Sequence, residues 1–241
     1  MTTLVVGATG ATGRLLVEQL LQRGEPVKAI VRRPGTFNEF ITGHSDFTEV
    51  QASVHDLSQA ELVDLVTGCD AVASCLGHQL SFKGVFGKPR RLVTDTVRRL
   101  CEAVQTTNSE TPVRFVLMNT AGNSNRDLNE PISLSQKCVI GLLRVLVPPH
   151  PDNEQAADYL RTSIGQQHRA IEWVVVRPDA LLNESEVTEY ELHPSPTRSA
   201  IFNAGKTSRI NVAHFMAELL TNQETWKQWQ GQMPVIYNRE T

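Results

Sequence analysis

Three glycines at three-residue spacing, Gly7, Gly10 and Gly13, stand directly before an amphipathic segment and could bind a phosphate. Backbone N–H groups at the start of a helix have no partner inside the helix, so they favour an anion in front of them. Glycines here would allow a sharp turn, close approach of a ligand to the backbone, and tight packing of the helix on a strand. The spacing is G-x-x-G-x-x-G instead of the more common G-x-G-x-x-G. We expect the loop to bind a pyrophosphate, and the alternative is a structural turn.

The residues around this loop predict the elements that position it. An apolar run at residues 4–6 predicts a buried strand, and apolar residues at helical spacing predict a helix that ends at Gly24. Five further segments are typical of strands: "PVKAIVRR", "FTEVQASV", "DAVASCLG", "VRFVLMN" and "IEWVVVRP". Alternation of strands and helices predicts an α/β fold, a doubly wound and mostly parallel Rossmann sheet with helices on both faces. We expect a single domain over residues 1–241, in which the C-terminal third (about 178–241) contributes the substrate side.

Capping patterns and apolar spacing predict where several helices begin. Ser58 with Glu61 forms a capping-box pattern, Pro89 suits the first turn of the next helix, and Asp152 with Gln155 marks a further start. A helix is also expected from about residue 211 to 220, followed by a final strand-like "MPVIYN". Residues 121–151 show a less regular pattern. Within them, "CVIGLLRVLVPP" fits a buried helix, the lining of a substrate pocket or a partner surface.

Composition excludes several classes of function. The chain has 241 residues, 40% hydrophobic and 20% charged, with a formal net charge of −3. This balance fits a globular protein and offers no basic footprint for nucleic acid or an anionic membrane. The most apolar stretch is too short to span a bilayer, and no signal peptide precedes the first strand. Without C-x-x-C spacing, the four cysteines predict reduced core residues, no metal site and a cytoplasmic location.

The residues that follow each strand predict the cofactor, because ligands of doubly wound sheets lie across the carboxyl ends of the strands. Arg32 and Arg33 follow the second strand, where guanidinium groups accommodate the 2'-phosphate of NADP and an acidic residue would favour NAD. We therefore expect NADP in preference to NAD, and the alternative is a solvated surface pair. Asp56 and Leu57 would lie near the adenine. The segment from Leu76 through Gly77 to His78 would lie along the ribose and pyrophosphate.

Motifs in a fixed order carry a family resemblance. "GATGATG", "VRR", "HDL", "CLG", "NTA" and "VRPD" follow the six strands in turn, and "TSRINVAHFMAELL" comes later. Together they resemble the atypical short-chain dehydrogenase/reductase group, and within it the NmrA-like and flavin-reductase (biliverdin-reductase-B-like) branch. The resemblance implies a Rossmann fold that binds a nicotinamide cofactor, with hydride transfer from NADPH to flavins or quinones in the flavin-reductase branch. The complete set of expected cofactor-binding residues is Gly7, Thr9, Gly10, Ala11, Thr12, Gly13, Arg32, Arg33, Asp56, Leu57, Leu76, Gly77, His78, Asn119, Thr120, Ala121 and Pro178.

The catalytic residues of ordinary superfamily members are absent. These enzymes use a Tyr-x-x-x-Lys helix, with tyrosine as proton donor. Asn153 and Ala157 match those two positions, and neither can act as a general acid. Thr120 matches the approximate place of the usual Ser or Thr, although a lone hydroxyl more often orients the nicotinamide amide or caps a strand end. His78 and Asn153 are expected on the substrate side, and no catalytic residue is assigned.

Two functions from different classes follow. The first is an NADPH-dependent oxidoreductase whose acceptor, a flavin, quinone or conjugated carbonyl, draws its proton from solvent. The second is a non-catalytic NmrA-like sensor that binds NADP(H) and acts through a protein partner. A nucleotide-sugar epimerase is disfavoured because the tyrosine motif is absent. The loops at residues 78–88 and 121–151 would decide the acceptor, and residues 195–209 suit either a lid or an ordinary surface loop.

Overall fold

A central sheet of eight strands organises the chain in a computed structural model, which describes residues 1–78, 87, 89–107, 109–130 and 133–239. Its strands are β1 (Thr3–Val6), β2 (Val27–Val31), β3 (Phe47–Gln51), β4 (Ala71–Ser74), β5 (Val113–Met118), β6 (Ile171–Pro178), β8 (Tyr190–His193) and β10 (Val235–Asn238). Their order is β3-β2-β1-β4-β5-β6-β10-β8. All neighbours pair in parallel except β8 with β10. Two short strands, β7 (Ala180–Leu182) and β9 (Lys206–Ser208), form a separate parallel pair.

Helices cover both faces of this sheet. They are α1 (Ala11–Gln22), α2 (Glu39–Thr42), α3 (Gln59–Val66), α4 (Leu92–Thr106), α5 (Leu134–Leu146), α6 (Pro149–Asp158), α7 (Arg209–Thr221) and α8 (Gln223–Trp229), with a π-helical segment at Tyr159–Ile164. Helices α1 and α7 pack on one face, and α3, α4 and α6 pack on the other, each over its own apolar core. Strands β1 and β4 are buried along their whole length, as expected for parallel strands covered on both faces. The predicted fold class is confirmed.

Most predicted elements form, and their ends follow from local chemistry. Ser58 and Glu61 make the full capping box: the serine hydroxyl accepts from Glu61 N, and the glutamate accepts from Ser58 N at 2.7 Å. The predicted helix near residue 211 begins two residues earlier, since Ser208 caps α7 by accepting from Asn211 N. The strand and helix around the glycine loop form as β1 and α1.

Two predicted helix starts were wrong. Helix α4 begins at Leu92 and leaves Pro89 outside it, because Asp152 supplies the cap for this helix from another part of the chain. Helix α6 begins at Pro149, so Asp152 lies within its first turn. A proline is well tolerated at the first helical position, where its missing N–H costs no hydrogen bond.

The irregular stretch after β5 contains a regular helix, α5, with an unusual distribution of apolar residues. Its residue Ile140 is buried, whereas Leu134, Leu142 and Leu146 are 80%, 58% and 54% exposed. The interpretation of this segment as a buried helix therefore holds only for one side of it. Among the described residues, none of the helices combines the length and apolarity needed to cross a bilayer.

Candidate cofactor and acceptor site

A cavity of about 370 Å³ lies at the carboxyl ends of β1 to β4, beside the start of α4. Seven of the residues expected to bind the cofactor line it: Gly7, Thr9, Gly10, Arg32, Asp56, Leu76 and Gly77. Sequence reasoning missed the others, which are Val6, Ile30, Ala52, Ser53, Val54, His55, Cys75, Pro89, Leu92 and Thr96. The "HDL" motif pointed to the segment that contains His55. The two α4 residues gave no signal, since their position depends on how that helix packs.

The glycine loop forms the floor of this cavity. Gly7 has a φ of +73°, a conformation that favours glycine. A Cβ there would also lie 2.6 Å from the carbonyl carbon of Cys75, the residue after β4, so glycine is required. A Cβ at Gly13 would overlap the carbonyl oxygen of Gly7, so this glycine allows α1 to start directly above β1. Gly10 is exposed, and a Cβ there would meet only Gly7 O, at 3.1 Å. Gly10 therefore leaves backbone open toward a ligand.

The start of α1 fits the phosphates of a dinucleotide. Its N-cap residue is Gly10, and no side chain caps the first turn. The unpaired N–H groups and the helix dipole both favour an anion at this point. Ala11 is exposed at the first helical position, whereas Thr12 and Gly13 are buried beneath it. The described residues thus fit a pyrophosphate bound at the glycine loop.

The two arginines after β2 occupy different positions. Arg32 lines the cavity, whereas Arg33 does not. Both are exposed, and neither forms an ion pair with another described residue. A guanidinium with its N–H groups directed to solvent can bind a phosphate without first breaking an internal salt bridge.

One wall of the cavity is formed by the loop after β3 and by the start of α4. His55 Nε2 lies 3.4 Å from Leu92 O and 3.3 Å from Thr96 Oγ1, which ties the two segments together. Leu57 is half-buried and packs against the core beneath α3 and α4. Cys75 also borders the cavity, and burial raises the pKa of its thiol to about 12. Cys75 is therefore a neutral thiol at physiological pH and does not act as a thiolate nucleophile.

His78 and Asp152 join the end of β4 to α6. His78 Nε2 lies 2.7 Å from Asp152 Oδ2, and the two side chains are 5% and 1% exposed. The same carboxylate accepts from Val93 N at 2.8 Å and from Thr94 N at 2.9 Å, which caps α4. The loop beyond His78, expected on the acceptor side, lies largely outside the described residues.

Asn119 at the end of β5 is engaged within the protein. Its Nδ2 donates to Asn153 O at 2.9 Å, and its Oδ1 accepts from Thr120 N and from the Asn123 side chain. This network fixes the place where α6 crosses the end of β5. It places Asn153, which was matched by sequence to the Tyr of the usual motif, beside Asn119.

The end of β6 is fixed by a buried ion pair. Arg177 is fully buried and binds both carboxylate oxygens of Glu130, at 2.7 and 3.2 Å. Its remaining N–H groups donate to the carbonyls of Met233, Asn123 and Pro194. Pro178, the next residue, is buried and accepts a hydrogen bond from Ala121 N. Ala121 is 4% exposed and packs with Val235 and Tyr237, so these two expected cofactor residues lie under the site surface.

Comparisons with known proteins give the class of protein to which this fold and site belong. Residues 7–223 match the profile of a family described as NAD(P)H-binding. The chain therefore belongs to this NAD(P)H-binding family, and the resemblance to atypical short-chain dehydrogenases/reductases is confirmed. The bound cofactor of the family is a nicotinamide dinucleotide. No curated protein matches the sequence.

Solved structures share the fold over the whole chain. A wide-type short-chain dehydrogenase/reductase from Veillonella parvula, solved with NADP, is 19% identical with a TM-score of 0.71, covering 100% of this chain and 95% of that one. A candidate NADH-flavin reductase from Streptococcus pneumoniae is 18% identical with a TM-score of 0.67, covering 99% and 100% of the two chains. The anaerobilin reductase ChuY from Escherichia coli O157:H7 is 14% identical with a TM-score of 0.69, covering 100% and 98%.

Proposed function

We propose that this chain is an NADPH-dependent reductase that transfers hydride to a flavin, a quinone or a conjugated carbonyl. The observation that carries the proposal is the cavity at the carboxyl ends of β1 to β4, with the glycine loop at its floor and Arg32 at its rim. NADPH, when bound, supplies the hydride. The chain's own residues then bind the dinucleotide, orient it and exclude water, which are the contributions a protein makes to cofactor chemistry.

The choice of acceptor class rests on the missing Tyr-x-x-x-Lys motif. At the matching positions, the carboxamide of Asn153 is not acidic enough to act as a proton donor, and Ala157 is buried. Flavins, quinones and conjugated carbonyls accept hydride without an enzyme tyrosine, whereas simple ketones and nucleotide sugars depend on one. Two structural neighbours whose names describe a flavin reductase and a bilin reductase support this choice by analogy of fold.

NADPH is preferred over NADH in this proposal because Arg32 lies at the cavity rim without an acidic partner among the described residues. A 2'-phosphate would accept charge-assisted hydrogen bonds from it. Asn119, Thr120 and Pro178, which lie at the ends of β5 and β6, would lie under the nicotinamide half. The C-terminal third would contribute the substrate side.

The direct test mixes purified protein with NADPH or NADH and a panel of flavins, quinones and conjugated carbonyls. Cofactor oxidation is followed by absorbance, and binding is followed by tryptophan fluorescence. We expect rapid oxidation of NADPH by one acceptor class and much slower oxidation of NADH. Tight binding of NADPH with no oxidation across the panel would contradict the proposal.

That contrary result would instead support a non-catalytic redox sensor. The exposed leucines of α5 favour this second function, since apolar side chains of this size in solvent are typical of partner surfaces. A sensor would bind a protein partner with an affinity that depends on NADP(H). A pull-down performed with and without NADP would reveal that dependence.

A further inference from the structure

We propose that His150 is the proton donor of this reductase, with Glu154 and Arg144 as its positioning residues, and that the acceptor is a quinone or conjugated carbonyl whose oxygen takes the proton. The inference rests on the proposed function and narrows its acceptor class. These acceptors do not require an enzyme acid, and here a positioned imidazole donates the proton that solvent would otherwise supply.

His150 forms part of a clamped imidazole–carboxylate pair in the first turns of α6. Its Nε2 lies 3.6 Å from Glu154 Oε1, and the two side chains are 12% and 11% exposed. Arg144 of α5 fixes the carboxylate with two hydrogen bonds, from Nε to Oε2 at 2.7 Å and from Nη2 to Oε1 at 2.8 Å. A bidentate contact of this kind restricts the rotation of the carboxylate that faces the imidazole.

The two ring nitrogens of His150 have different surroundings. Nε2 is enclosed, lies 3.6 Å from Glu154 Oε1 and makes no hydrogen bond with a described residue. Nδ1 has no hydrogen-bond partner in the described part of the chain and is not among the enclosed atoms. A histidine whose inner nitrogen is oriented by a carboxylate can exchange a proton through its outer nitrogen. Nδ1 is therefore the atom that would meet the acceptor.

The ring of His150 lies next to the turn that follows β5. A Cβ built at Gly122 would lie 3.6 Å from Thr120 Oγ1 and 3.9 Å from His150 Cε1. His150 also stands three residues before Asn153, so both side chains lie on the same side of the helix. The imidazole is thus within one helical turn of the position where the usual tyrosine would stand, at the carboxyl edge of the sheet where the nicotinamide half is expected.

Charged groups on α5 and α6 lie around the His150 imidazole. Burial alone would raise the pKa of the Glu154 carboxyl, but hydrogen bonds and positive charge from His150 and Arg144 lower it to about 2. Glu154 is therefore ionised at every pH at which the protein functions. The charged groups recorded around the imidazole are Glu154 on its own helix and Arg144 on α5, with Asp158 behind Arg144, while the β5 turn presents the neutral hydroxyl of Thr120.

The proton balance of the reaction defines the role of His150. Reduction of a quinone or conjugated carbonyl requires one hydride and one proton, and the electron pair displaced from the acceptor's π system comes to rest on its oxygen. The His150 imidazolium breaks its Nδ1–H bond and gives that proton to the oxygen. The neutral imidazole then takes a proton from solvent, so the residue is unchanged after each turnover.

The experiment compares H150Q, E154Q and the control H44Q, with menadione as the quinone probe. His44 is the matched control because it also pairs with a carboxylate, Asp46 at 3.8 Å, and precedes the amino end of β3. We expect H150Q to lower kcat by about 100- to 1,000-fold with NADPH affinity within twofold of wild type. E154Q should change the pH profile of kcat, because it removes the negative charge that faces the imidazole. H44Q should change neither quantity.

A second readout does not depend on turnover. The Cε1–H resonance of His150 can be titrated by NMR in protein labelled at histidine, with no cofactor present. We expect the His150 resonance to change in E154Q and again when NADP+ is added to wild type, while the His44 resonance stays constant. If wild type reduces menadione and H150Q keeps the same rate and the same pH profile, this inference alone is overturned. If wild type binds NADPH but does not reduce menadione, the quinone assignment is overturned. If it reduces no acceptor of the panel, the proposed function is overturned as well.

Discussion

His78 Nε2 lies 2.7 Å from Asp152 Oδ2, and this carboxylate, 1% exposed, also accepts hydrogen bonds from Val93 N and Thr94 N. One side chain thus joins the end of β4, the start of α4 and the start of α6. Residues between β4 and His78 and at the start of α4 line the cavity, and α6 packs beside Asn119, which precedes Thr120. The integrity of the site therefore depends on a residue that does not line the cavity.

Replacement of Asp152 should destabilise the protein. D152A leaves two backbone N–H groups and His78 without their buried acceptor, and breaking a buried pair of this kind costs about 3–5 kcal/mol. We expect a corresponding fall in the free energy of unfolding measured with urea. The control D64N changes an exposed carboxylate on α3 and should cost less than about 0.5 kcal/mol. Equal stability of D152A and D64N would contradict the role assigned to the cap.

Alanine substitutions in the glycine loop should separate folding from binding. In G13A the new Cβ would overlap Gly7 O, so we expect a loss of about 3 kcal/mol in unfolding free energy. In G10A the new Cβ meets one atom at 3.1 Å, and the loss should be about 1 kcal/mol or less. G10A should nonetheless weaken NADPH binding by about tenfold or more, because a methyl group would occupy the approach of the pyrophosphate. Unchanged affinity in folded G10A would argue against a phosphate site here.

Removal of Arg32 should weaken NADPH selectively. A charge-assisted hydrogen bond is worth about 1.5–3 kcal/mol, so R32A should raise the Kd for NADPH by about 10- to 100-fold and leave the Kd for NADH nearly unchanged. R33A is the matched control, since Arg33 has the same chemistry and lies outside the cavity lining. Fluorescence titration of both variants with both cofactors measures the effect. If R32A weakens the two cofactors equally, Arg32 does not recognise the 2'-phosphate.

The lowered pKa of Glu154 should make the free energy of unfolding depend on pH. Its pKa in the folded protein is about 2, below the ordinary value of 4.5 expected in the unfolded chain. The unfolded chain therefore binds this proton first as the pH falls, so the stabilisation is complete above pH 4.5 and is lost toward pH 2. We expect the urea midpoint of E154Q to decline less than that of wild type across this range. E110Q, at an exposed site, should decline in parallel with wild type, and a parallel decline in E154Q would refute the prediction.

The fold was predictable because its signals are local. Apolar runs, helical spacing and the capping box at Ser58 each act within a few residues. These signals predicted β1 to β6 in their order along the chain. The site was predictable in part for the same reason, since doubly wound sheets place the ends of their strands together. Seven expected cofactor residues, Arg32 among them, line one cavity. Their roles in binding stay predictions.

The residues that sequence reasoning missed depend on contacts between distant segments. Leu92 and Thr96 border the cavity only because α4 packs against the loop that holds His55. The segment of α5 was given a buried helix as one of three interpretations, and its exposed leucines could not be foreseen because they depart from the amphipathic pattern of a surface helix. The short strands β7 and β9 have little signal in three residues each.

The sequence by itself determined the alternation of strands and helices, the glycine loop and the basic pair after β2, because these depend on residue spacing and backbone preference. Only the tertiary structure decided which side chains meet across the chain: Arg177 with Glu130, His78 with Asp152, and His150 with the Thr120 turn. Such pairings arise when packing of the apolar faces brings remote polar groups into a low-dielectric interior. There each must find a partner, and no local pattern specifies which partner it will be.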